Sequence, residues 1–188
     1  PELPVQAPTP GPSTSTGSPA VPSSAAAPGG ANPFTLIRRA ALGDAAAMCE
    51  VNMRSIRISA AGHYTAAQLE AWAGPVSVER CERIVAETIA FVAVDLERVV
   101  GFANLDVADG ELDQLYVDPA AGGRGVARAL VQAVEGAAIG HRLREVHTRA
   151  SLRAEPAFER LGYRVVEREL HPANGQVFAR AHMVKTLG

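Results

Sequence analysis

The sequence predicts an α+β domain whose mixed, mostly antiparallel sheet of about seven strands is flanked by helices. Three observations predict it. Three β-branched and aromatic runs separated by short turns, within residues 88–117, indicate an antiparallel meander. A glycine-rich loop and an amphipathic helix then lead into another strand, and such crossovers favour parallel neighbours. Near the C-terminus, Asn174-Gly175 joins the last two strands as a hairpin.

The first 33 of the 188 residues differ in composition from the rest of the chain. They contain nine of the 13 prolines, many Ser, Thr, Ala and Gly residues, and a single charge, Glu2. Such a segment buries too little apolar surface to offset its ordering entropy, so we predict a disordered N-terminal arm. It lacks the basic start and apolar run of a secretory signal. Residues 34–188 are enough for one domain with a single core.

Charge and cysteine content narrow the class of function. A formal net charge of −2 gives no basic footprint for nucleic acid, and no apolar run approaches the ~20 residues of a membrane span. Cys49 and Cys81 are far apart in sequence and lack metal-ligand spacing. Two buried, reduced thiols in a cytoplasmic protein are more typical of this pattern than a disulfide, so we predict a cytoplasmic location. The five histidines also lack metal-ligand spacing, so we predict no catalytic metal.

The N-terminal part of the domain predicts one strand and three helices. Phe34–Arg39 is strand-like, and Asp44 is a plausible N-cap for a helix through about residue 60. Thr65 can cap a second helix, Thr65–Ala73, which Gly74-Pro75 ends. Ser77–Glu87 follows as a third helix with one apolar side.

Most of the sheet is predicted from the remaining residues. The meander strands are Thr88–Asp95, Val99–Val107 and Glu111–Val117. A helix starting near Arg124 carries an apolar stripe at three- and four-residue spacing. The elements after it are a strand, a short helix closed by Gly162 and two final strands, over Arg144–Ala150, Ser151–Leu161, Tyr163–Leu170 and Gln176–Leu187.

The loop between the third meander strand and the long helix has the composition of an anion site. Asp118-Pro119 ends the strand, and Gly122, Gly123 and Gly125 leave a backbone that a ligand can approach closely. A helix N-terminus behind such a loop suits a phosphate. An ordinary glycine-rich turn is the alternative. Dinucleotide and P-loop motifs fit poorly, because Arg128 stands where a third glycine belongs and no Lys-Ser/Thr pair follows.

The glycine loop Gly122–Ala127, the later stretch Ala154–Tyr163 and the end Met183–Lys185 together resemble the GNAT (GCN5-related N-acetyltransferase) superfamily. The stretch His63–Ala73 resembles a subgroup of its small bacterial proteins. In the cofactor signature Gln/Arg-x-x-Gly-x-Gly/Ala, Gly125 and Ala127 fit and Gly122 replaces the Gln or Arg. Ala154–Tyr163, AEPAFERLGY, is similar to the family helix that ends in ERxGY, and Met183–Lys185 to its MxK terminus. The resemblance covers about residues 34–187 and implies the GNAT fold.

The resemblance also implies acetyl-CoA as acyl donor. Its pyrophosphate would lie on the backbone N–H groups of the loop, which comprises Gly122, Gly123, Arg124, Gly125, Val126 and Ala127. Pantetheine would pair with the exposed backbone of Leu115, Tyr116 and Val117, with His147–Ser151 as the other wall. Arg124 is expected to add charge toward the phosphates, whereas Arg128 is better interpreted as a solvated helix residue.

The implied reaction is direct transfer of an acetyl group to a primary amine, with a carboxylate as general base. Glu111 is the leading candidate, and the alternative is a solvated acid at a strand start. Asp113 is the second candidate, as a base or as an anchor for the substrate ammonium group. Strand alternation predicts that Glu111 and Asp113 share a face with Leu115 and Val117.

Two departures from the family pattern concern the leaving thiolate. The tyrosine that protonates it in relatives is Phe158 here, and the usual Asn at the start of that helix is Ser151. Both positions are expected to line the cofactor. Tyr64 could donate a hydrogen bond to substrate or thiolate, Trp72 fits a core or a pocket role, and His147 is interpreted as structural.

These observations predict an acetyl-CoA-dependent N-acetyltransferase for a small-molecule or peptide amine. The alternative is a non-catalytic module that binds or senses acyl-CoA, motivated by Gly122, Ser151 and Phe158. No nucleic-acid or membrane partner is expected, and a homodimer is one candidate assembly because many relatives dimerise. The acceptor itself cannot be deduced from the fold.

Overall fold

The computed structural model describes residues 35–59 and 62–188. The arm predicted over residues 1–33 lies outside the described residues. The strands in these ranges are β1 (Leu36–Arg39), β2 (Ile89–Asp95), β3 (Arg98–Asp106), β4 (Glu111–Val117), β5 (Glu145–Ser151), β6 (Arg164–Ala173) and β7 (Gln176–Thr186). They form one seven-stranded mixed sheet with strand order β1-β2-β3-β4-β5-β7-β6, which confirms the predicted α+β class. Every neighbouring pair is antiparallel except β4 and β5.

Within the described residues, five α-helices flank this sheet. They are α1 (Ala45–Arg54), α2 (Ala66–Ala73), α3 (Val78–Glu87), α4 (Val126–Gly140) and α5 (Glu155–Arg160). A π-helical turn, Ser55–Ser59, continues α1. The predicted helix 151–161 is shorter in the structure, because Ser151 ends β5 and α5 begins four residues later.

The helix starts show which capping predictions hold. Thr65 caps α2, since its Oγ1 accepts from the Gln68 N–H at 3.2 Å. Asp44 occupies the predicted N-cap position of α1, but its side chain makes no capping hydrogen bond. Its carboxylate instead accepts from Arg38 at 2.7 Å and 2.8 Å and from the Ala41 N–H at 2.8 Å. The Arg38 guanidinium lowers the pKa of Asp44, so this carboxylate ties β1 to the start of α1 rather than capping it.

The helices cover both faces of the sheet. On one face α4 presents its predicted stripe, and the buried members are Val126, Leu130, Val131, Val134 and Ala138. On the other face α1 and α3 pack against Val92 and Phe102. Cys49 on α1 and Cys81 on α3 are free thiols in this second cluster, and burial raises the pKa of Cys81 to about 11.

The sheet opens between its two parallel strands. β4 and β5 pair only at Glu111 and His147, where the His147 N–H donates to the Gly110 carbonyl at 3.1 Å. Beyond that point the strands diverge, so the β5-facing backbone of β4 has no strand partner. The fork leaves unpaired polar backbone at the centre of the domain, where an extended ligand can bind.

None of the helices in the described ranges has the length and apolar character that a membrane span requires. Likewise, within residues 35–59 and 62–188, no group of three or more His, Cys, Asp or Glu side chains is arranged to hold a metal ion.

Candidate active site

Two adjoining cavities occupy the fork between β4 and β5. The wide cavity, of about 380 Å³, extends toward α2, α3 and the β6–β7 hairpin. The narrow cavity, of about 130 Å³, extends toward the π-helical turn and α5. Six residues line both: Trp72, Asp113, Gln114, Tyr116, Arg149 and Ser151. The two cavities therefore meet along the middle of β4.

The glycine loop lies at the C-terminal end of β4. Asp118 Oδ1 accepts from the Ala120 N–H at 2.9 Å and starts a 3₁₀ turn, Pro119–Ala121. Gly123 (φ 72°) and Gly125 (φ 79°) then adopt left-handed conformations that favour glycine. In the part of the chain that the structure describes, the N–H groups of residues 123–128 have no hydrogen-bond acceptor. The loop thus has the donors of an anion site.

Two parts of the predicted phosphate set are corrected. The Gly122 N–H is already used, because it donates to the Pro119 carbonyl at 3.2 Å. The Arg124 side chain is directed to β2, where Nη2 lies 2.5 Å from Asp95 Oδ2. Arg128 is exposed, as predicted for a solvated helix residue. The loop therefore offers an anion its free backbone N–H groups, whereas the Arg124 side chain is held at β2.

Comparison with known proteins identifies the family. A family model for the acetyltransferase (GNAT) domain matches residues 60–186. The chain belongs to the GNAT acetyltransferase family. This GNAT domain is 30% identical, over 147 residues, to the uncharacterized N-acetyltransferase YafP of Escherichia coli K12. That match covers 78% of this chain and 93% of YafP.

Solved structures agree with this assignment. A GCN5-related N-acetyltransferase from Rhodopseudomonas palustris superposes with a TM-score of 0.77 at 29% identity, covering 82% of this chain and 96% of that one. The protein yncA of Salmonella typhimurium, solved with its cofactor acetyl-CoA, has a TM-score of 0.63 at 18% identity. It covers 82% of this chain and 95% of its own, and at that identity it supports the fold alone.

The two predicted acids of the GNAT domain have different surroundings. Glu111 Oε1 lies 2.7 Å from Arg149 Nη1, across the fork, and Glu111 lines neither cavity. Asp113 lines both cavities and has no ion pair within the described residues; its Oδ2 accepts from Asn104 Nδ2 at 3.4 Å. Burial raises the pKa of Asp113, the hydrogen bond from Asn104 opposes the rise, and the charge of Glu111 adds to it.

The Asp113 side chain is exposed to solvent, yet it lines both cavities and is surrounded by enough protein that desolvation raises its pKa. We therefore regard Asp113 as a cavity-facing acid, not as a surface acid.

A β-bulge at Asp113 separates the acids from the following residues. Asn104 and Leu105 are adjacent in β3, but they pair with Gln114 and Leu112, so Asp113 has no residue opposite. Such an insertion shifts the alternation of side chains. Leu115 and Val117 pack under α4, whereas Asp113 contacts Asn104 on the other side of the sheet. The prediction that both acids share a face with Leu115 and Val117 is wrong for this reason.

An aromatic cluster forms one wall of the wide cavity. Tyr64, Trp72 and Phe178 have ring centroids 5.3 Å to 6.1 Å apart. Trp72 Nε1 donates to the Tyr116 hydroxyl at 3.2 Å, and burial raises the pKa of that hydroxyl to about 12. Trp72 therefore lines the wide cavity, and Tyr64 lies beside it on the same wall.

The residues predicted near the cofactor thiol line the narrow cavity. Ser151 Oγ accepts from the Ala154 N–H at 3.3 Å, which leaves its hydroxyl proton free to donate. Phe158 packs edge-on against Tyr163, with ring centroids 5.2 Å apart. Leu115 and Tyr116 also line this cavity, but Val117 does not. His147 lines neither cavity, and its Nε2 lies 3.0 Å from the Asp109 carbonyl oxygen, in keeping with a structural role.

Several cavity residues escaped prediction from the sequence. Asn52 and Gln114 are buried in the wall of the wide cavity, and each has a side-chain oxygen without a partner among the described residues. Arg80, on the first turn of α3, and Arg149, on β5, line the same cavity. None of these positions carries a local motif, so only the packing of distant elements reveals them.

Arg124 offers a test of backbone recognition. Replacing Arg124 by Gln removes its ion pair with Asp95 and leaves every loop N–H in place. We expect coenzyme A affinity to change less than about threefold, and stability to fall by about 0.2–1 kcal/mol, as for a partly exposed pair. Calorimetric titration and thermal melts measure both, and a tenfold loss of affinity would contradict backbone recognition.

Proposed function

We propose that this GNAT domain is an acetyl-CoA-dependent N-acetyltransferase that acetylates a primary amine by direct transfer. The observation that carries the proposal is Asp113, a cavity-facing carboxylate without an ion pair at the junction of the two cavities. The narrow cavity leads from this carboxylate along β4, and the wide cavity gives the acceptor a separate approach.

The donor site fits acetyl-CoA in three respects. The unpartnered N–H groups of residues 123–128 suit a pyrophosphate at the start of α4. The open β4 edge offers backbone groups to the amide-containing pantetheine arm. The narrow cavity, between Ser151 and Phe158, suits the thioester end. When bound, acetyl-CoA supplies an acyl group on a thiol that leaves readily, because its pKa is near ~8.5.

We assign the general base to Asp113. Alkyl amines arrive protonated, since their pKa is near ~10, and a base must remove a proton before or during attack. Asp113 takes that proton directly or through water, and its raised pKa brings it closer to neutral operating pH. The amine nitrogen then bonds to the acyl carbon, the carbon–sulfur bond breaks, and the second proton of the nitrogen passes to the leaving thiolate or to solvent.

Glu111 has a supporting role in this proposal. Arg149 fixes Glu111 at 2.7 Å, across the fork, and the charge of Glu111 helps to raise the pKa of Asp113. The sequence predicts Glu111 as the leading candidate for the base, so the two acids need separate tests.

Replacing Glu111 by Gln distinguishes these roles. We expect a smaller loss of kcat than for Asp113→Asn, because the base remains. Loss of a neighbouring negative charge lowers the pKa of Asp113, so the acid limb of the kcat/KM profile moves to lower pH. If Glu111→Gln abolishes turnover and the Asp113 variant retains it, Glu111 is the base.

The leaving thiolate has no tyrosine hydroxyl at Phe158. We propose that it departs without a general acid from that position, with the Ser151 hydroxyl as the nearest candidate donor on the cavity wall. The presence of Phe158 in place of the tyrosine of relatives also favours the second candidate function, a module that binds acyl-CoA without catalysis.

One experiment separates the two functions. Calorimetric titration with coenzyme A is paired with a panel of primary amines, in which free thiol and acetylated product are both measured. The proposal expects binding and amine-dependent thiol release. Binding with no thiol release across the panel supports the non-catalytic module, and failure to bind coenzyme A rules out both.

A further inference from the structure

The charges that line the wide cavity are unevenly paired. Three arginines line it, and two of them hold carboxylates. Arg149 pairs with Glu111 at 2.7 Å, and Arg180 Nε lies 2.5 Å from Glu169 Oε1. Arg80 has no carboxylate within 4.0 Å in the described part of the chain. One guanidinium is therefore free to bind a ligand.

Arg80 and Asp113 lie in the same cavity but do not pair. They are more than 4.0 Å apart, yet the positive charge of Arg80 still opposes the rise in the pKa of Asp113. A cavity of about 380 Å³ with one unpaired cation and one unpaired anion is complementary to a small molecule that carries both charges. The aromatic cluster supplies an apolar wall between α2 and β7.

Building on the proposed N-acetyltransferase function, we infer that the acceptor is a free amino acid with an apolar or aromatic side chain. Its ammonium group faces Asp113, its carboxylate binds the Arg80 guanidinium, and its side chain lies on Tyr64, Trp72 and Phe178. A guanidinium suits this role, because its planar fork can donate two parallel hydrogen bonds to one carboxylate.

The position of Arg80 supports a binding role rather than a structural one. It lies at the exposed start of α3, where its backbone N–H donates to the Ser77 hydroxyl at 3.2 Å. That capping bond does not depend on the side chain, so substitution of Arg80 should leave the fold intact. No contact in the described residues requires its charge.

Paired acceptors test the inference directly. L-phenylalanine is compared with 2-phenylethylamine, and L-leucine with 3-methylbutylamine, so that each pair differs by one carboxylate. We expect kcat/KM to be about 10- to 100-fold higher for the carboxylate-bearing member of at least one pair, the range for a charge-assisted hydrogen bond. Arg80→Gln should remove the preference mainly through KM, and Arg80→Lys should restore part of it.

Arg83→Gln is the matched control. Arg83 is exposed on the same helix and lines neither cavity, so its loss removes an equal charge without touching the site. Turnover of simple amines without a carboxylate preference, or an equal effect of Arg80→Gln and Arg83→Gln, overturns this inference and leaves the proposed function standing. Coenzyme A binding with no turnover of any amine overturns both.

Discussion

Asp113→Asn is expected to lower kcat by about 10²- to 10⁴-fold while leaving coenzyme A affinity unchanged. The substitution keeps the shape of the side chain and removes its capacity to accept a proton. The loop donors at residues 123–128 are untouched, so donor binding persists. Initial rates at saturating acetyl-CoA, with calorimetric titration of coenzyme A, measure the two quantities separately.

Asp109→Asn is the control for this substitution. Asp109 lies in the exposed turn before β4 and lines neither cavity, so its change should leave kcat within a fewfold of wild type. An equal loss in both variants would show that a general charge effect, not proton transfer, lowers the rate.

Thermal melts at several pH values show whether the Asp113→Asn variant is folded and how the carboxylate affects stability. The folded-state pKa of Asp113 is raised, so its contribution to stability is fully present below the unfolded pKa near ~3.9 and is lost as pH rises through the folded value. The Asn variant should therefore melt at the same or a higher temperature than wild type at neutral pH, and this difference should shrink in acid. A lower melting temperature of the Asn variant at neutral pH contradicts a raised folded-state pKa for Asp113.

Gly123→Ala is expected to weaken coenzyme A binding by tenfold or more. Gly123 has φ 72°, so a Cβ strains the backbone by roughly 1–2 kcal/mol and favours rearrangement of the loop that presents the N–H groups. A Cβ there meets no atom within 4 Å, so any loss comes from loop conformation and ligand approach rather than from a clash.

Gly175→Ala controls for backbone strain. Gly175 has φ 74°, a Cβ there also meets nothing within 4 Å, and it lies in the β6–β7 hairpin turn. Both variants should lose similar stability in thermal melts, and only Gly123→Ala should lose coenzyme A affinity in titration. Equal coenzyme A affinities in the two variants would show that the loop does not contribute to coenzyme A binding.

The parts of the fold that could be predicted depend on local patterns. The meander, the stripe on α4 and the Thr65 cap each follow from residues close in sequence. The Asn174-Gly175 hairpin also formed as predicted, with φ 50° and 74° at its two central residues. In each case the residues that predict the element belong to it or lie next to it in the sequence.

The failed predictions involve partners that lie on a different helix, strand or loop. Asp44 has the composition of a helix cap, but Arg38 on β1 is close enough to take its carboxylate. Arg124 lies in a phosphate-type loop, yet its partner is Asp95, 29 residues earlier. The bulge at Asp113 depends on the register between β3 and β4, which strand alternation cannot predict.

Only part of the candidate site could be predicted, because the rest of it also depends on contacts between separate elements. The glycine loop and the two acids have recognisable spacing, but the sequence gives no sign that Arg149 takes Glu111 or that Arg80 stays free. Those differences are the reason we propose Asp113 rather than Glu111 as the base and a free amino acid as the acceptor.

The most direct test of the central claim measures acetylated acceptor and free thiol together in wild type and Asp113→Asn. At saturating acetyl-CoA, wild type should form one acetylated amine for each thiol released. The variant should bind coenzyme A equally well and turn over at about one hundredth of the rate or less. Wild-type turnover in Asp113→Asn, or thiol release from wild type that does not depend on an amine, would contradict it.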